Sequence, residues 1–397
     1  MKFPTAAQKR TLATLSDPGL ALLQRGYRAG WRRNLQPIDL TSPEACRRVR
    51  KVLAVRLDAI GDLLLTEPAL GVLRQRFPEA RIDLVANPAS AAVLEGNPNI
   101  DHVVSYRAPW HAAWRGGVVN WKMECARAWG ITHALRAERY ELGFELRGDL
   151  RDIGFMAAAA PAMLIGSGFR GGKGLLDVDV PFSPRAHQVE LSAAIAGYGS
   201  PPSPVRPPRV HLTPFHLERA RRALPEAPGP CAALHLGAGF DSKRLPIEKV
   251  AAVVNRLSEL RTDLSFIVVG GPDETALEGQ LRGMVQHSGR LFSLVGRLGL
   301  LETAAALSRC ALFIGNDSAP MHLAAAVGTP VVACFGPSEP WKFHPYGPPY
   351  RLLEVPLDCR PCDYVHCIWT GDLRFQCMSR QDTDSIVAAA EELLHGV

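Results

Sequence analysis

The sequence has no long apolar run. None of its apolar segments approaches the roughly 20 residues that a membrane-spanning helix needs. The apolar stretch from Thr11 to Leu23 is interrupted by Ser16, Asp17 and Pro18, so a signal-peptide core is missing as well. We therefore expect a cytoplasmic protein.

The body of the chain also has no excess of basic charge. The formal net charge is +6, but residues 1–50 hold ten Lys/Arg against three Asp/Glu, which is +7 and leaves −1 for the remainder. Nucleic acid is therefore not an expected partner. The length of 397 residues and the hydrophobic content of 47% are sufficient for two or more domains.

The basic charge belongs to a predicted N-terminal extension over residues 1–48. Apolar and aromatic side chains there follow helical spacing, with arginines on the opposite face: Leu20, Leu23, Tyr27 and Trp31 against Arg25, Arg28, Arg32 and Arg33. Such a helix fits an anionic membrane surface. A helix packed on the protein with solvated arginines is equally consistent, because Gly26 and Gly30 weaken it.

Short apolar runs alternate with helical patterns in the rest of the chain, which predicts a doubly wound α/β fold. The first series starts with strands at Lys51–Val55 and Arg81–Val85, and a second begins at Cys231. Five prolines in residues 200–208 predict a stiff linker between them. We expect domains at 49–204 and 209–380, followed by a closing helix at 381–397.

The most informative stretch is residues 311–340. An apolar strand up to Ile314 leads into helix-capping residue types, and Pro320 suits a first helical turn. The helix ends at Gly328, before the next apolar strand. A helix N-terminus at the end of a strand binds phosphate through its unpaired N–H groups, and His322 could add a donor.

These residues resemble a known family. Gly315-Asn-Asp-Ser-Ala-Pro-Met-His322, Gly328-Thr-Pro-Val331 and Phe335-Gly-Pro-Ser-Glu-Pro340 are similar to the donor-site signature of the heptosyltransferases of lipopolysaccharide synthesis, glycosyltransferase family 9. The resemblance covers about residues 50–395. It implies the GT-B fold, with two facing Rossmann-like domains, an active site in the interdomain crevice and a last helix that typically crosses back to the first domain.

The resemblance also implies a reaction. That reaction is inverting, metal-independent transfer of a sugar, heptose first, from an ADP-sugar to a hydroxyl of lipopolysaccharide core or a related glycan. The lipid-linked acceptor implies peripheral association with the cytoplasmic surface of the inner membrane. A nucleotide-sugar epimerase of the same fold and a non-catalytic, membrane-associated glycan-binding relative remain as alternatives.

Three turns at strand ends match the family pattern in the second domain. They are the Ser-Lys-Arg-Leu-Pro, Gly-Gly-Pro-x-Glu and Asp-Ser-x-Pro-x-His turns. The resemblance implies that Lys243 neutralises the departing diphosphate, with a catalytic role, and that Glu274 accepts hydrogen bonds from ribose hydroxyls. The donor-binding residues implied are Gly237, Ser242, Lys243, Glu274, Asn316, Asp317, Ser318, Ala319 and His322.

In the first domain the turn Asp58-Ala-Ile-Gly-Asp62 follows the first strand and resembles the family loop that carries the proposed catalytic base. Asp62 is the matching residue. Asp58 is the alternative base, and a helix N-cap is the structural alternative for Asp62. The acceptor-binding residues implied are Arg56, Asp58, Gly61 and Arg147. Residues 109–139, rich in Trp, Arg and His, are either a further acceptor-contacting region or ordinary helix surface.

Four of the nine cysteines lie within nineteen residues, at Cys359, Cys362, Cys367 and Cys377. In a cytosolic protein this crowding favours a metal site over disulfides. We expect structural zinc first and iron second, since similar clusters occur in some family members and soft thiolates bind either metal. Reduced structural cysteines are the alternative.

Two further motifs are predicted to carry no chemistry. Gly166-Ser-Gly-Phe-Arg-Gly171 has dinucleotide-binding spacing, but no helical pattern follows it. Asp177 and Asp179 resemble a metal-holding pair but lie in an extended Val/Pro-rich segment.

Overall fold

The computed structural model of the protein describes residues 38–110, 118–224 and 229–395. The chain divides into two compact units. Unit 1 comprises the residues up to 91 and residues 97–206, and unit 2 comprises residues 92–96 and those from 207 onward. The division between Arg206 and Pro207 falls inside the proline-rich segment. The predicted amphipathic helix around residues 20–31 lies outside the described residues.

Unit 1 is built on a six-stranded parallel sheet in the order β3-β2-β1-β4-β5-β6. Its strands are β1 (Lys51–Arg56), β2 (Arg81–Ala86), β3 (His102–Ser105), β4 (Leu142–Glu145), β5 (Met163–Gly166) and β6 (Val178–Asp179). Its helices are α1 (Pro43–Arg48), α2 (Ile60–Arg76), α3 (Pro88–Ala91), α4 (Trp121–Ala137), α5 (Leu150–Ala159) and α6 (Gln188–Ala196).

Unit 2 carries a second six-stranded parallel sheet in the order β12-β11-β10-β7-β8-β9. Its strands are β7 (Cys231–His235), β8 (Ser265–Val269), β9 (Leu291–Ser293), β10 (Leu312–Asn316), β11 (Val331–Phe335) and β12 (Tyr350–Glu354). Its helices are α7 (Pro214–Ala223), α8 (Ile247–Leu260), α9 (Thr275–Met284), α10 (Leu300–Leu307), α11 (Ala319–Ala326), α12 (Pro340–Phe343), α13 (Gln376–Ser379) and α14 (Thr383–His395).

Both sheets have the same topology. Three strands run outward in sequence, and the fourth returns to pair with the first, β4 beside β1 and β10 beside β7. This is the Rossmann order, in which ligands bind beyond the carboxyl ends of the strands at the point where the order reverses. The predicted α/β fold with two Rossmann-like domains is confirmed.

The end of the predicted extension belongs to the body of unit 1. Leu40 and Cys46 are buried, and the Arg76 guanidinium donates to the Leu40 carbonyl at 2.8 Å. Part of the predicted N-terminal extension, residues 38–48, therefore packs on unit 1. Apolar side chains spaced along residues 40–49 are buried because they pack beside α2.

The closing helix α14 packs on the sheet of unit 2. Ile386, Ala390 and Leu393 belong to the core cluster that includes Ile314 and Val332 of β10 and β11. The family-based expectation that this helix crosses back to the first domain is wrong here. Its apolar face covers strands β10–β12, which would otherwise expose one face of a parallel sheet.

Local backbone contacts involve the two motifs that are predicted to carry no chemistry. The glycine-rich stretch after β5 leads into a turn and one short 3₁₀ helix (Lys173–Leu175). Asp177 accepts from the Leu164 N–H and Asp179 from the Gly168 N–H, both at 2.7 Å. These carboxylates therefore satisfy backbone donors. In the ranges that the structure describes, we find no helix with the length and apolarity to span a bilayer.

Candidate active site

A buried arginine organises the switch point of unit 1. Arg56 ends β1 and is 1% exposed. Its guanidinium donates to the Leu146 carbonyl at 2.9 Å and to Gln188 Oε1 at 3.2 Å. The same group lies 2.8 Å from Asp58 Oδ2 and 3.4 Å from Asp62 Oδ1. Arg56 therefore ties both candidate base carboxylates to the ends of β1 and β4, and any contact it makes with an acceptor stays a prediction.

Asp58 is held from two sides. Besides Arg56, Arg147 approaches its other carboxylate oxygen at 2.7 Å, and the Asp58 side chain is 5% exposed. Burial would lower the pKa of Arg147, but Asp58 and then Asp152 and Asp149 raise it overall. Asp58 is thus a fixed counterion for two guanidinium groups.

Asp62 has a different environment. It is the third residue of α2 and its side chain is 30% exposed. The N-cap of α2 is Ala59, which makes no side-chain capping bond, so Asp62 is not the N-cap. Gly61 beside it is buried. Of the two aspartates in this turn, Asp62 is the one that solvent reaches.

The polar centre of unit 1 contains more acids than bases. Three arginines pair with three aspartates: Arg56 with Asp58 and Asp62, Arg147 with Asp58, and Arg151 with Asp149. Glu145 and Asp152 are additional, and both are fully buried. Burial raises the pKa of Asp152 to about 7, with Arg147 opposing and Asp58 and Asp149 reinforcing the shift. Burial, and then Asp152, raises the pKa of Glu145 well above its ordinary value.

In unit 2 the turn after β10 forms a second polar centre. Asp317 is buried and pairs with Lys243 Nζ at 2.6 Å, while the Ser338 hydroxyl also donates to it. Burial would raise the pKa of Asp317, but Lys243 and then His322 hold it below its usual value. Asn316 Oδ1 accepts from the Leu245 N–H at 3.0 Å, which joins the 241–245 turn to β10.

The helix that follows this turn has an uncapped N-terminus. Ser318 is the N-cap of α11 but makes no side-chain bond to the helix, and Ala319 is its first residue. His322 is buried beside Asp317, its Nε2 3.9 Å from Asp317 Oδ1. Burial lowers the pKa of His322 to about 4 despite Asp317, so the ring is neutral near pH 7. The positive charge facing this turn comes from Lys243.

Glu274 and Gly237 lie beside this centre. Glu274 Oε1 is 3.0 Å from His235 Nε2, and His235 Nδ1 is 3.0 Å from Ser318 Oγ. The ideal Cβ position of Gly237 is only 2.1 Å from Glu274 Oε1, so a side chain there would displace the carboxylate. The structure thus brings Gly237, Glu274 and Ser318 together, as the resemblance implies.

Residues 359–377, which we call the cysteine segment, pack directly on the turns that follow β7 and β11. The buried Ser242 hydroxyl lies 3.1 Å from both the Tyr364 and Val365 carbonyls. The Asp363 N–H donates to the Pro337 carbonyl at 2.9 Å, and Arg360 donates to the Gly336 carbonyl. The Ser242 side chain therefore serves this packing, and a role of Ser242 in donor binding stays a prediction.

The four thiols of the cysteine segment are near enough to affect one another. Burial raises the pKa of Cys377 to about 11; Arg360 opposes this shift, and Cys362, Cys359 and Cys367 add to it. Across the described ranges, no group of three or more Cys, His, Asp or Glu side chains is arranged to hold a metal ion. The donor set suits a soft metal, and its convergence on one ion stays a prediction.

Comparison with known proteins places this chain in a family. Residues 128–370, more than half of the sequence, match the sequence model of glycosyltransferase family 9 (heptosyltransferase). The chain belongs to glycosyltransferase family 9. Its resemblance to that family, seen first in the turns around Asp317, is confirmed.

Individual relatives of this family 9 chain are distant. Lipopolysaccharide heptosyltransferase 3 of Escherichia coli is 24% identical over 309 residues, which cover 71% of this chain and 84% of the relative. The structure of E. coli ADP-heptose lipopolysaccharide heptosyltransferase II has a TM-score of 0.68 at 19% identity, covering 87% of this chain and 99% of that one. The iron-containing dodecameric glycosyltransferase TibC of enterotoxigenic E. coli has a TM-score of 0.55 at 15% identity, covering 88% and 77%. These structures show the fold.

Sequence reasoning missed several residues of this family 9 site. His235 and Glu145 each end a buried strand, so the rule that ligands gather at strand ends could have identified them. Gln188 and Asp152 reach the centre from α6 and α5, and nothing in their local sequence distinguishes them from helix surface.

The surplus acids of unit 1 predict a pH-dependent stability. The folded protein retains the Asp152 proton up to about pH 7, whereas the unfolded chain releases it near the ordinary value of 3.8. The unfolded state therefore binds fewer protons in this window, and the free energy of unfolding falls as pH rises. Asp152→Asn removes this titrating acid and with it the fall in stability. The melting temperature of the variant minus that of wild type should therefore increase by several degrees as the pH rises from roughly 5 to 8.

Thermal melts across this pH range measure the effect. Glu79→Gln, at a carboxylate that is 66% exposed in the same unit, is the matched control and should show no such trend. A stability difference between Asp152→Asn and wild type that stays constant with pH would contradict the protonated state of this acid.

Proposed function

We propose that this glycosyltransferase moves a sugar, heptose first, from an ADP-sugar to a hydroxyl of lipopolysaccharide core or a related glycan with inversion at the anomeric carbon. One observation carries the proposal. Each sheet has a polar centre at its switch point: a carboxylate that solvent reaches in unit 1, and a lysine beside an uncapped helix N-terminus in unit 2. The names of the relatives support this assignment of donor and acceptor.

The centre of unit 2 suits a diphosphate. Lys243 supplies a cation, and the N-terminus of α11, which has no side-chain cap, presents the positive end of the helix dipole. The buried Asp317 orients Lys243 by a 2.6 Å contact, which lowers the entropy cost of holding the ammonium in place. These groups stabilise the charge that develops on the leaving ADP, so the proposed step uses no catalytic metal.

The centre of unit 1 suits a general base. Asp62 takes the proton of the acceptor hydroxyl as its oxygen attacks the anomeric carbon, and the bond from that carbon to the phosphate oxygen breaks with its electron pair leaving on ADP. Arg56 orients the Asp62 carboxylate from its buried side. Asp58 is less suited to this role because two guanidinium groups already hold it. Arg147, which is 17% exposed, is the proposed contact for an anionic acceptor.

We also propose that the protein works at the cytoplasmic surface of the inner membrane, where a lipid-linked acceptor would be presented. Helix α4 supports this location. Trp121, Met123 and Trp129 are all more than half exposed on it, and Lys122 and Arg127 are exposed beside them. Aromatic and basic side chains on one exposed helix are typical of a membrane–water interface.

Asp62→Asn tests the base. The variant should bind the donor like wild type, because Asp62 belongs to unit 1, while sugar transfer should fall by about 10²–10⁴-fold through loss of the proton acceptor. Transfer is measured with ADP-heptose and a heptose-deficient lipopolysaccharide acceptor. Asp177→Asn, a carboxylate in the same unit that bonds to the backbone, is the matched control. Turnover near wild type in Asp62→Asn would shift the role to Asp58.

Lys243→Met tests the donor site. Loss of the ammonium removes a charge-assisted contact to the diphosphate and should weaken ADP binding by roughly tenfold or more. Calorimetry with ADP, UDP and GDP measures the affinity and also identifies the nucleotide. Lys249→Met, on the helix α8 that follows the same turn, should leave the affinity unchanged. Equal ADP affinities in wild type and Lys243→Met would place the donor elsewhere.

We further propose that the cysteine segment holds one structural metal ion through Cys359, Cys362, Cys367 and Cys377, zinc first and iron as the alternative. Four soft thiol donors in nineteen residues fit either metal, and TibC is described as iron-containing. The ion would fasten the segment that hydrogen-bonds to the donor turns at Ser242 and Pro337. No open coordination position for chemistry is required of it.

Elemental analysis tests this assignment. Protein purified without added metal should contain close to one zinc or iron per chain, and Cys362→Ser should lose the metal, melt at a lower temperature and bind ADP more weakly. Cys310→Ser, at a buried cysteine outside the segment, should retain the metal. A metal-free wild-type protein of full stability, with all four thiols titratable after unfolding, would leave them as ordinary reduced cysteines.

A further inference from the structure

A hydrogen-bonded chain of three side chains crosses three neighbouring strands of unit 2. His235 ends β7, Glu274 follows β8 and Ser318 follows β10, and β10, β7 and β8 are adjacent in the sheet. The two contacts of the His235 ring, to Glu274 Oε1 and to Ser318 Oγ, are each 3.0 Å long. His235 is 5% exposed, so the ring is fixed inside the protein.

The partners determine where the ring carries its protons. An ionised Glu274 only accepts hydrogen bonds, so His235 Nε2 must carry the hydrogen. A neutral ring then accepts from the Ser318 hydroxyl at Nδ1. A doubly protonated ring donates to Ser318, whose hydroxyl turns to the Asn316 carbonyl at 3.2 Å. In both states the N–H of Nε2 donates to Glu274, and only the Ser318 hydroxyl changes direction.

Glu274 lies in a narrow space, and one of its carboxylate oxygens has no hydrogen-bond partner among the described residues. The ideal Cβ positions of Gly237 and Gly270 lie 2.1 and 2.2 Å from its two carboxylate oxygens, so the carboxylate fills space that only glycine leaves open. Oε1 accepts from His235, while Oε2 is buried with no hydrogen-bond partner among the described residues. A buried carboxylate oxygen without a donor is costly, which indicates that a hydroxyl or water completes it.

We propose that His235 is a positioning residue for the nucleotide. It holds Glu274 through Oε1, so that Oε2 accepts from a ribose hydroxyl, and Ser318 links this contact to the turn proposed for the diphosphate. The inference rests on the proposed nucleotide-sugar donor and extends it to a residue that touches no substrate. The recognised chemistry is a vicinal diol on a nucleoside diphosphate.

Two substitutions of His235 distinguish the hydrogen bond made by Nε2 from the one made by Nδ1. A glutamine amide nitrogen reaches the place of Nε2, whereas an asparagine amide reaches only that of Nδ1. His235→Asn should therefore lose the bond to Glu274 and weaken ADP binding by roughly tenfold, about 1.4 kcal/mol. His235→Gln should stay within about threefold of wild type, a rescue that depends on one hydrogen-bond donor. Saturating donor should restore kcat in His235→Asn, so that the loss appears in KM.

Calorimetry with ADP and with 2′,3′-dideoxy-ADP measures the effect. The dideoxy nucleotide lacks the hydroxyls, so wild type and His235→Asn should bind it with equal affinity. His216→Asn is the matched control, because His216 is also buried in unit 2 but bonds to the Thr213 N–H. It should leave ADP affinity unchanged even where it lowers the melting temperature.

The outcomes separate this inference from the function on which it rests. If wild type binds ADP and His235→Asn binds it equally well, the role of His235 alone is overturned. The same follows if His235→Asn loses as much affinity for the dideoxy nucleotide as for ADP. Failure of His235→Gln to rescue also overturns it. If wild type binds UDP or GDP instead of ADP, the same variants are compared with that nucleotide and its dideoxy form, and the same outcomes decide. Wild type that binds no nucleoside diphosphate overturns the proposed function and this inference together.

Discussion

Both units depend on the reversal of strand order in a parallel sheet. Helices cover the two faces of such a sheet, so apolar side chains fill its strands and polar groups collect at the strand ends. Where the fourth strand returns beside the first, the crossover helices diverge and leave room above the sheet. Arg56 at the end of β1 and Asn316 at the end of β10 occupy these two points. Their surroundings are polar because the topology leaves the space uncovered.

The two units use the same topology for opposite electrostatic purposes. Unit 1 gathers carboxylates around Arg56 and leaves Asp62 as the acid that solvent reaches. Unit 2 buries one acid, Asp317, and uses it to hold Lys243 beside an uncapped helix. A base must accept a proton, and a leaving diphosphate must be neutralised. This division of charge between the two centres is the one that the proposed sugar transfer requires.

The strands, their ends and the residues of the turns could be predicted because apolar runs, glycines and capping residues signal them locally. Asp62 shows the limit of local prediction: an aspartate near a helix start can be the N-cap or lie inside the first turn, and only the position of Ala59 at the N-cap decides. Gln188 joins Arg56 from 132 positions away, which no local pattern encodes. The closing helix was assigned to the wrong unit because its amphipathic face does not specify which sheet it covers.

The cysteine segment shows how packing outside a site decides its geometry. The turn that carries Lys243 has no regular secondary structure beyond one 3₁₀ turn (Asp241–Lys243), so it needs contacts from elsewhere to stay ordered. Asn316 holds one end of it through the Leu245 N–H. Ser242 holds the other end through carbonyls of the cysteine segment, which also bonds to the turn containing Pro337. Lys243 and Ser338 meet at Asp317, and the turns that carry them share one support, so whatever rigidifies the cysteine segment also rigidifies the Lys243 ammonium.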